Sequence, residues 1–165
     1  MINIYYIEND RQHLEAVTAV LEKNNYNVFP KANDWENELK IFIDFLHDQS
    51  SQERKDAIEN LLLDYNPELL IIDVDLGCNS SGDGGDIYDN YLLSSKNFCE
   101  LPVVYLTILG KDAKRINKRT RHVTKILTGG VLNAQAISGP LLLNMTELLT
   151  PPNNMGFFDR LLDSI

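Results

Sequence analysis

Pro67-Glu-Leu-Leu-Ile-Ile-Asp-Val-Asp-Leu76 is the stretch from which the fold can be read. Leu69 to Ile72 are four consecutive large apolar residues, and they run directly into Asp73 and Asp75. A short continuous apolar run with β-branched members, closed by Pro67 on one side and Gly77 on the other, suits a strand buried on both faces. Such strands lie in the middle of parallel sheets, and ligands of those sheets bind at the carboxyl ends of the strands. Asp73 stands at that end.

Working outward, Ile2 to Ile7 reads as a strand by β-propensity and ends in the acidic cluster Glu8-Asn9-Asp10. Asn9 or Asp10 can cap the helix that follows, whose Leu14, Val17, Val20 and Leu21 have helical spacing. That helix is expected to stop at Asn24-Asn25 in a left-handed turn. Tyr26 to Phe29 is a second strand. Two helices then intervene before the 69–76 stretch: one carries Trp35, Leu39, Phe42, Ile43 and Leu46 on one stripe, and the other runs from about Glu53 to Asp64.

Beyond Leu76, Gly77 to Gly85 is a glycine-rich loop, and Asp86 is expected to cap a helix reaching about Ser95. Leu101 to Ile108 is a fourth strand, with Pro102 tolerated at its start. Lys111 to Arg121 reads as a basic helix, Val123 to Leu127 as a fifth strand stopped by Gly129-Gly130, and Asn133 to Leu149 as a last helix with a break or kink at Gly139-Pro140. The alternation of strands and helices predicts one domain over residues 1–150, with a parallel sheet covered on both faces. Residues 151–165 form a tail whose Phe157, Phe158, Leu161, Leu162 and Ile165 suit a short amphipathic helix, packed back on the domain or docked on a partner.

Composition excludes several classes. The 165 residues carry a net charge of −9, which argues against generic binding to nucleic acid or anionic membrane. The apolar runs are too short to span a bilayer and the start of the chain does not read as a signal peptide, so a soluble, cytoplasmic protein is expected. Cys78 and Cys99 read as reduced thiols without metal spacing. Gly82-Asp-Gly-Gly85 lacks the lysine and hydroxyl of a phosphate-binding loop. The three histidines, His13, His47 and His122, are scattered and take no assigned role.

In such a sheet the ends of the first and third strands meet, which brings Glu8, Asn9 and Asp10 toward Asp73 and Asp75. Clustered carboxylates raise one another's pKa unless a cation joins them. Oxygen-only ligands suit Mg²⁺, and a carboxylate beside that ion can attack a phosphoryl group.

At this point the sequence resembles the response-regulator receiver domain of two-component signalling, over roughly residues 2–150. Ile4-Tyr-Tyr-Ile-Glu8-Asn9-Asp10 is similar to that family's first strand and acidic pair, and Leu70-Ile-Ile-Asp73-Val-Asp75 to its third strand. Asp83-Gly84 is similar to the Asp-Gly before the third family helix, and Leu101-Pro-Val-Val-Tyr-Leu-Thr107 to the fourth strand. The resemblance implies a flavodoxin-like three-layer α/β/α domain with strand order 2-1-3-4-5, here with an extra helix before the third strand. It implies Asp73 as phosphoacceptor and Thr107 as the hydroxyl that senses the phosphoryl group. It also implies a weakly held Mg²⁺ at Glu8, Asn9, Asp10, Asp73 and Asp75, the last through its backbone carbonyl.

On that reading the chain is not an enzyme but at most a phosphoacceptor, loaded by a histidine kinase or phosphotransfer protein. Its output is protein–protein interaction through a basic face at Lys111, Lys114, Arg115, Lys118 and Lys125, against a downstream partner or a second copy. The family also places a lysine at the end of the fifth strand. Aligned without a gap from Thr107, that place falls at or near Thr128. Lys125, three residues earlier, is then expected about 10 Å lower and on the other side of the sheet. Two other readings stand beside this one: a pseudo-receiver that binds partners without being phosphorylated, and an unrelated doubly wound flavin- or nucleotide-binding module.

Overall fold

The computed structural model describes residues 1–78, 82–108 and 117–150. Five parallel strands form the central sheet: β1 (Ile2–Ile7), β2 (Tyr26–Phe29), β3 (Leu69–Asp73), β4 (Val103–Thr107) and β5 (Thr120–Thr124). Their order in space is 2-1-3-4-5. The helices are α1 (Arg11–Lys23), α2 (Trp35–His47), α3 (Gln52–Tyr65), α4 (Asp83–Asn90) and α5 (Ala134–Leu149), with a short 3₁₀ turn at Leu92–Ser94. This is the expected flavodoxin-like three-layer arrangement, and α2 and α3 both precede β3.

The alternation of side chains along the strands builds two cores. Tyr5, Ile7, Leu70, Ile72, Val103 and Tyr105 face α2, α3 and α4, where Phe42, Phe45, Ile58, Leu62 and Ile87 complete the layer. Ile4, Tyr6, Leu69, Ile71, Val104, Leu106 and Val123 face the other way, against Leu14, Val17 and Leu21 of α1 and Ile137, Leu141, Met145 and Leu148 of α5. Every residue of β3 is buried, as a central strand requires.

Local chemistry sets the helix ends. Asp10 accepts from the His13 backbone N–H and so caps α1. Ser51 caps α3 and Asn133 caps α5 in the same way. Asn25 and Asn66 take the left-handed conformation after α1 and α3, at φ 67° and 49°.

Several expected boundaries move. The helix after the glycine-rich loop starts at Asp83 rather than Asp86 and ends at Asn90. Helix α5 runs through Pro140 without interruption. The fifth strand begins three residues before the expected Val123 and ends at Thr124, so residues 118–121 are turn and strand rather than helix. Gly129-Gly130 does not stop that strand; it is the two-residue turn of a separate hairpin, β6 (Leu127–Thr128) with β7 (Val131–Leu132). Both glycines have positive φ, 61° and 80°, the condition a tight hairpin turn imposes. The expected basic helix at 111–116 and the tail 151–165 lie outside the described residues.

Candidate functional site

The site forms where three strands leave the sheet on the α1/α5 side. Tyr6, Ile71 and Val123 are the last apolar residues of β1, β3 and β5 on that face. Two positions further along each chain come Glu8, Asp73 and Lys125, which share the face because the strand period is two. The register sets Glu8 and Asp73 side by side, since Ile7 pairs with Ile72; Asp73 pairs with Leu106 and Leu106 with Val123, so Lys125 stands two residues beyond that row. The Lys125 backbone N–H donates to the Thr107 carbonyl at 2.7 Å, which extends the β4–β5 ladder past the end of β5.

Lys125 is therefore not on the far side of the sheet, and it is not part of an outer basic face. It is 2% exposed. Its Nζ donates to Glu8 Oε1 at 2.6 Å and to Asp73 Oδ2 at 2.7 Å, and lies 3.0 Å from His13 Nδ1. The reason is the strand register: β5 begins earlier than the ungapped alignment supposed, and a three-residue slip is an odd number, so it exchanges the two faces. Thr128, the expected place of the lysine, sits instead in the exposed β6–β7 hairpin.

Two carboxyl groups and one ammonium thus share a buried cluster. Glu8 is fully buried, and burial together with the neighbouring Asp73 carboxylate pushes its carboxyl up to about 8, although Lys125 pulls the other way. Tyr6 donates its hydroxyl to Glu8 Oε1 at 2.6 Å, and burial beside that carboxyl raises the Tyr6 phenol well above its ordinary value. The backbone of Glu8 is held as well, because the Trp35 indole N–H donates to its carbonyl at 2.7 Å. Asp73 is 6% exposed; its Oδ1 accepts from the Asp75 backbone N–H at 2.9 Å.

Above this cluster opens a cleft of ≈ 360 Å³ lined by Asn9, Asp10, His13, Asp73, Asp75, Thr107 and Ile108. Asn9, Asp10, Asp73, Asp75 and Thr107, five of the expected site residues, therefore meet at one opening, and Glu8 lies beneath it rather than on its wall. Among the described residues, no group of three or more His, Cys, Asp and Glu side chains is gathered so as to hold a metal ion on its own. Apart from His13, the cleft donors are oxygens, with Asp73 the carboxylate at the base and Asp10 and Asp75 toward solvent. That set fits a hard cation that keeps most of its water and takes one or two carboxylates, as Mg²⁺ does.

The approach of α4 to this end of the sheet is set by Asp83 and Gly84. The buried Asp83 carboxylate accepts from the backbone N–H groups of Leu76 and Cys78, both at 2.9 Å. A Cβ on Gly84 would stand 2.8 Å from the Asp73 carbonyl oxygen, so only glycine lets the helix start this close to β3.

Of the basic positions expected at the partner face, Lys118 is exposed, while Lys111, Lys114 and Arg115 lie outside the described residues. Three residues of the site were not anticipated in their places. Lys125 is marked by its two-residue offset from Val123. His13 falls four residues before Val17 and eight before Leu21, on the buried stripe of α1. Tyr6 shares a strand face with Glu8.

No family model and no curated protein matches this chain. Among solved structures it is similar to a fusion carrying amino acids 181–211 of the yeast Spc42 trimeric coiled coil, at 20% identity and a TM-score of 0.51, covering 98% of this chain and 92% of that one. It is also similar to a two-component transcriptional regulator AraC from Clostridium phytofermentans ISDg, at 14% identity and a TM-score of 0.49, covering 90% of this chain and 95% of that one. The first likeness shows the shared α/β fold. Among the described residues no helix is long and apolar enough to cross a membrane.

Proposed function

We propose that this chain is a receiver-type signalling module that accepts a phosphoryl group on Asp73. The observation that carries the reading is Lys125 Nζ at 2.7 Å from Asp73 Oδ2, with Thr107 on the wall of the same cleft. With Lys125 in the family's lysine place, the aromatic place three residues earlier falls on His122, whose ring packs 5.2 Å from that of Tyr105.

In the proposed reaction an Asp73 carboxylate oxygen attacks phosphorus, and the bond from phosphorus to the donor's leaving group breaks, the leaving group keeping the electron pair. Lys125 exchanges its bond to Oδ2 for one to a phosphoryl oxygen, and Glu8 keeps the ammonium at hand. Thr107 supplies a hydroxyl to the same group and couples it to β4. Asn9, Asp10, Asp73 and the Asp75 carbonyl would hold Mg²⁺, which neutralises charge on the carboxylate and on the incoming phosphoryl group. The donor is a histidine kinase, a phosphotransfer protein or a small phosphodonor, and the output is a protein–protein contact. One observation favours the pseudo-receiver instead: Asn9 offers an amide where the family pair has a second carboxylate, which weakens the cation site.

Incubation with Mg²⁺ and acetyl phosphate, followed by intact-mass measurement, tests the proposal. The expected result is a gain of one phosphoryl group that Asp73→Asn abolishes. No gain in the unaltered chain, or a gain that survives Asp73→Asn, overturns it.

A further inference from the structure

We propose that His13 is a phosphoryl-positioning residue, donating its Nε2–H to an oxygen of the group carried by Asp73; this rests on the phosphoacceptor reading above. His13 is the one imidazole on the cleft wall, and it is 6% exposed. Its Nδ1 lies 3.0 Å from Lys125 Nζ. An ammonium has donors only, so Nδ1 must be the acceptor of that contact, and the ring proton sits on Nε2.

Nδ1 and Nε2 flank Cε1 of the imidazole and point away from the ring in different directions. Nδ1 faces the fully buried Lys125 side chain, and Nε2 lies 3.8 Å from Oδ2 of the half-exposed Asp10, another residue of the cleft wall. That separation is beyond a hydrogen bond, so the contact with Asp10 does not satisfy the Nε2–H. Asp73 Oδ2 and His13 Nδ1 both lie within 3.0 Å of the same ammonium, so one side chain, that of Lys125, bridges the histidine and the phosphoacceptor. Asp10 and Asp73 supply negative charge facing the ring, and Lys125 supplies positive charge. A phosphoryl group on Asp73 would bring three acceptor oxygens into a cleft where Lys125 orients the imidazole with its donor outward. Fixed donors aimed at a group whose charge is redistributed in transfer lower the barrier for both its arrival and its departure.

Two measurements on the full chain test this. Nitrogen-15 NMR of the imidazole in the unaltered protein near neutral pH should show the proton on Nε2 and an unprotonated Nδ1; the opposite tautomer overturns the proposal. The second compares loading from acetyl phosphate with Mg²⁺, and the later loss of the phosphoryl group, in H13Q and H13N. Glutamine places an amide N–H where Nε2–H stands. Asparagine reaches only the Nδ1 position, so it preserves an acceptor for Lys125 and loses the outward donor. The expected result is loading and loss within about threefold of the unaltered chain for H13Q, and about tenfold slower or more for H13N. Equal rates in all three proteins, or equal losses in both variants, overturn the donor role while leaving Asp73 as phosphoacceptor. An unaltered chain that takes no phosphoryl group overturns the phosphoacceptor reading, and this inference with it.

Discussion

Replacing Lys125 by methionine keeps the side-chain length and removes the charge that two buried carboxyl groups share. Lys125 stands 2.6 Å from Glu8 and 2.7 Å from Asp73, with no exposure of its own side chain. Glu8 already favours its neutral form, so the lysine chiefly balances one remaining negative charge. Without it, the least costly response of the folded protein is for a second carboxyl to take up a proton. An exposed carboxyl titrates near 4, and each pKa unit is worth about 1.4 kcal/mol, so holding that proton at about pH 7 costs about 4 kcal/mol. This agrees with the roughly 3–5 kcal/mol lost when one partner of a buried ion pair is removed.

The sign with pH follows from linkage. The variant's folded state binds a proton that its unfolded state does not, so its stability falls as pH rises above the ordinary carboxyl value. The difference between the two proteins should therefore shrink to about 1.4 kcal/mol at about pH 5. Urea unfolding at the two pH values measures it. A K125M cost that is below about 1 kcal/mol near neutrality, or is the same at both pH values, would refute the reasoning. As a further check, Asp73→Asn added to K125M removes the uncompensated acid and should restore most of the loss at the higher pH.

Two other expectations concern the same end of the sheet. The raised Glu8 carboxyl means that the folded protein keeps a proton the unfolded chain releases, so stability should fall as pH rises from about 4.5 to about 8, by up to about 1.4 kcal/mol per unit. Glu8→Gln should flatten that slope in a series of denaturation curves, and an unchanged slope would show that Glu8 is not the group responsible. Gly84→Ala forces a Cβ to 2.8 Å from the Asp73 carbonyl and 3.1 Å from Val74 Cα, both backbone atoms, and should cost about 1–3 kcal/mol in urea unfolding. An alanine variant as stable as the parent would mean that α4 can draw back freely.

The central strands were legible because they are buried on both faces. In β3 and β4 every residue is buried, and continuous apolar runs of that kind admit few other readings. Strand β5 was misplaced because it is the edge. Its sequence, Thr-Arg-His-Val-Thr, has one apolar residue, since only Val123 faces the α5 layer squarely, and Arg119 and Arg121 continue a basic series that looks helical. A weak strand signal beside a run of cations gave the wrong start. Because that error was three residues, it turned Lys125 from the centre of the site into a surface charge.

His13 is hard to read from the sequence for a related reason: hydropathy treats a histidine at a stripe position as a polar interruption. The buried neighbours four and eight residues later say otherwise. A polar residue that keeps an apolar face's spacing must be buried, and a buried polar residue needs a partner. The same rule applies to all three strand ends. Glu8, Asp73 and Lys125 each stand two positions beyond the last apolar residue of one face, so each continues that face into the layer between the sheet and α1. Two acids and one base buried there compensate one another, as Lys125 does for Glu8 and Asp73. The period-two rule that builds the core therefore also selects the members of the site, once the register of the edge strand is known.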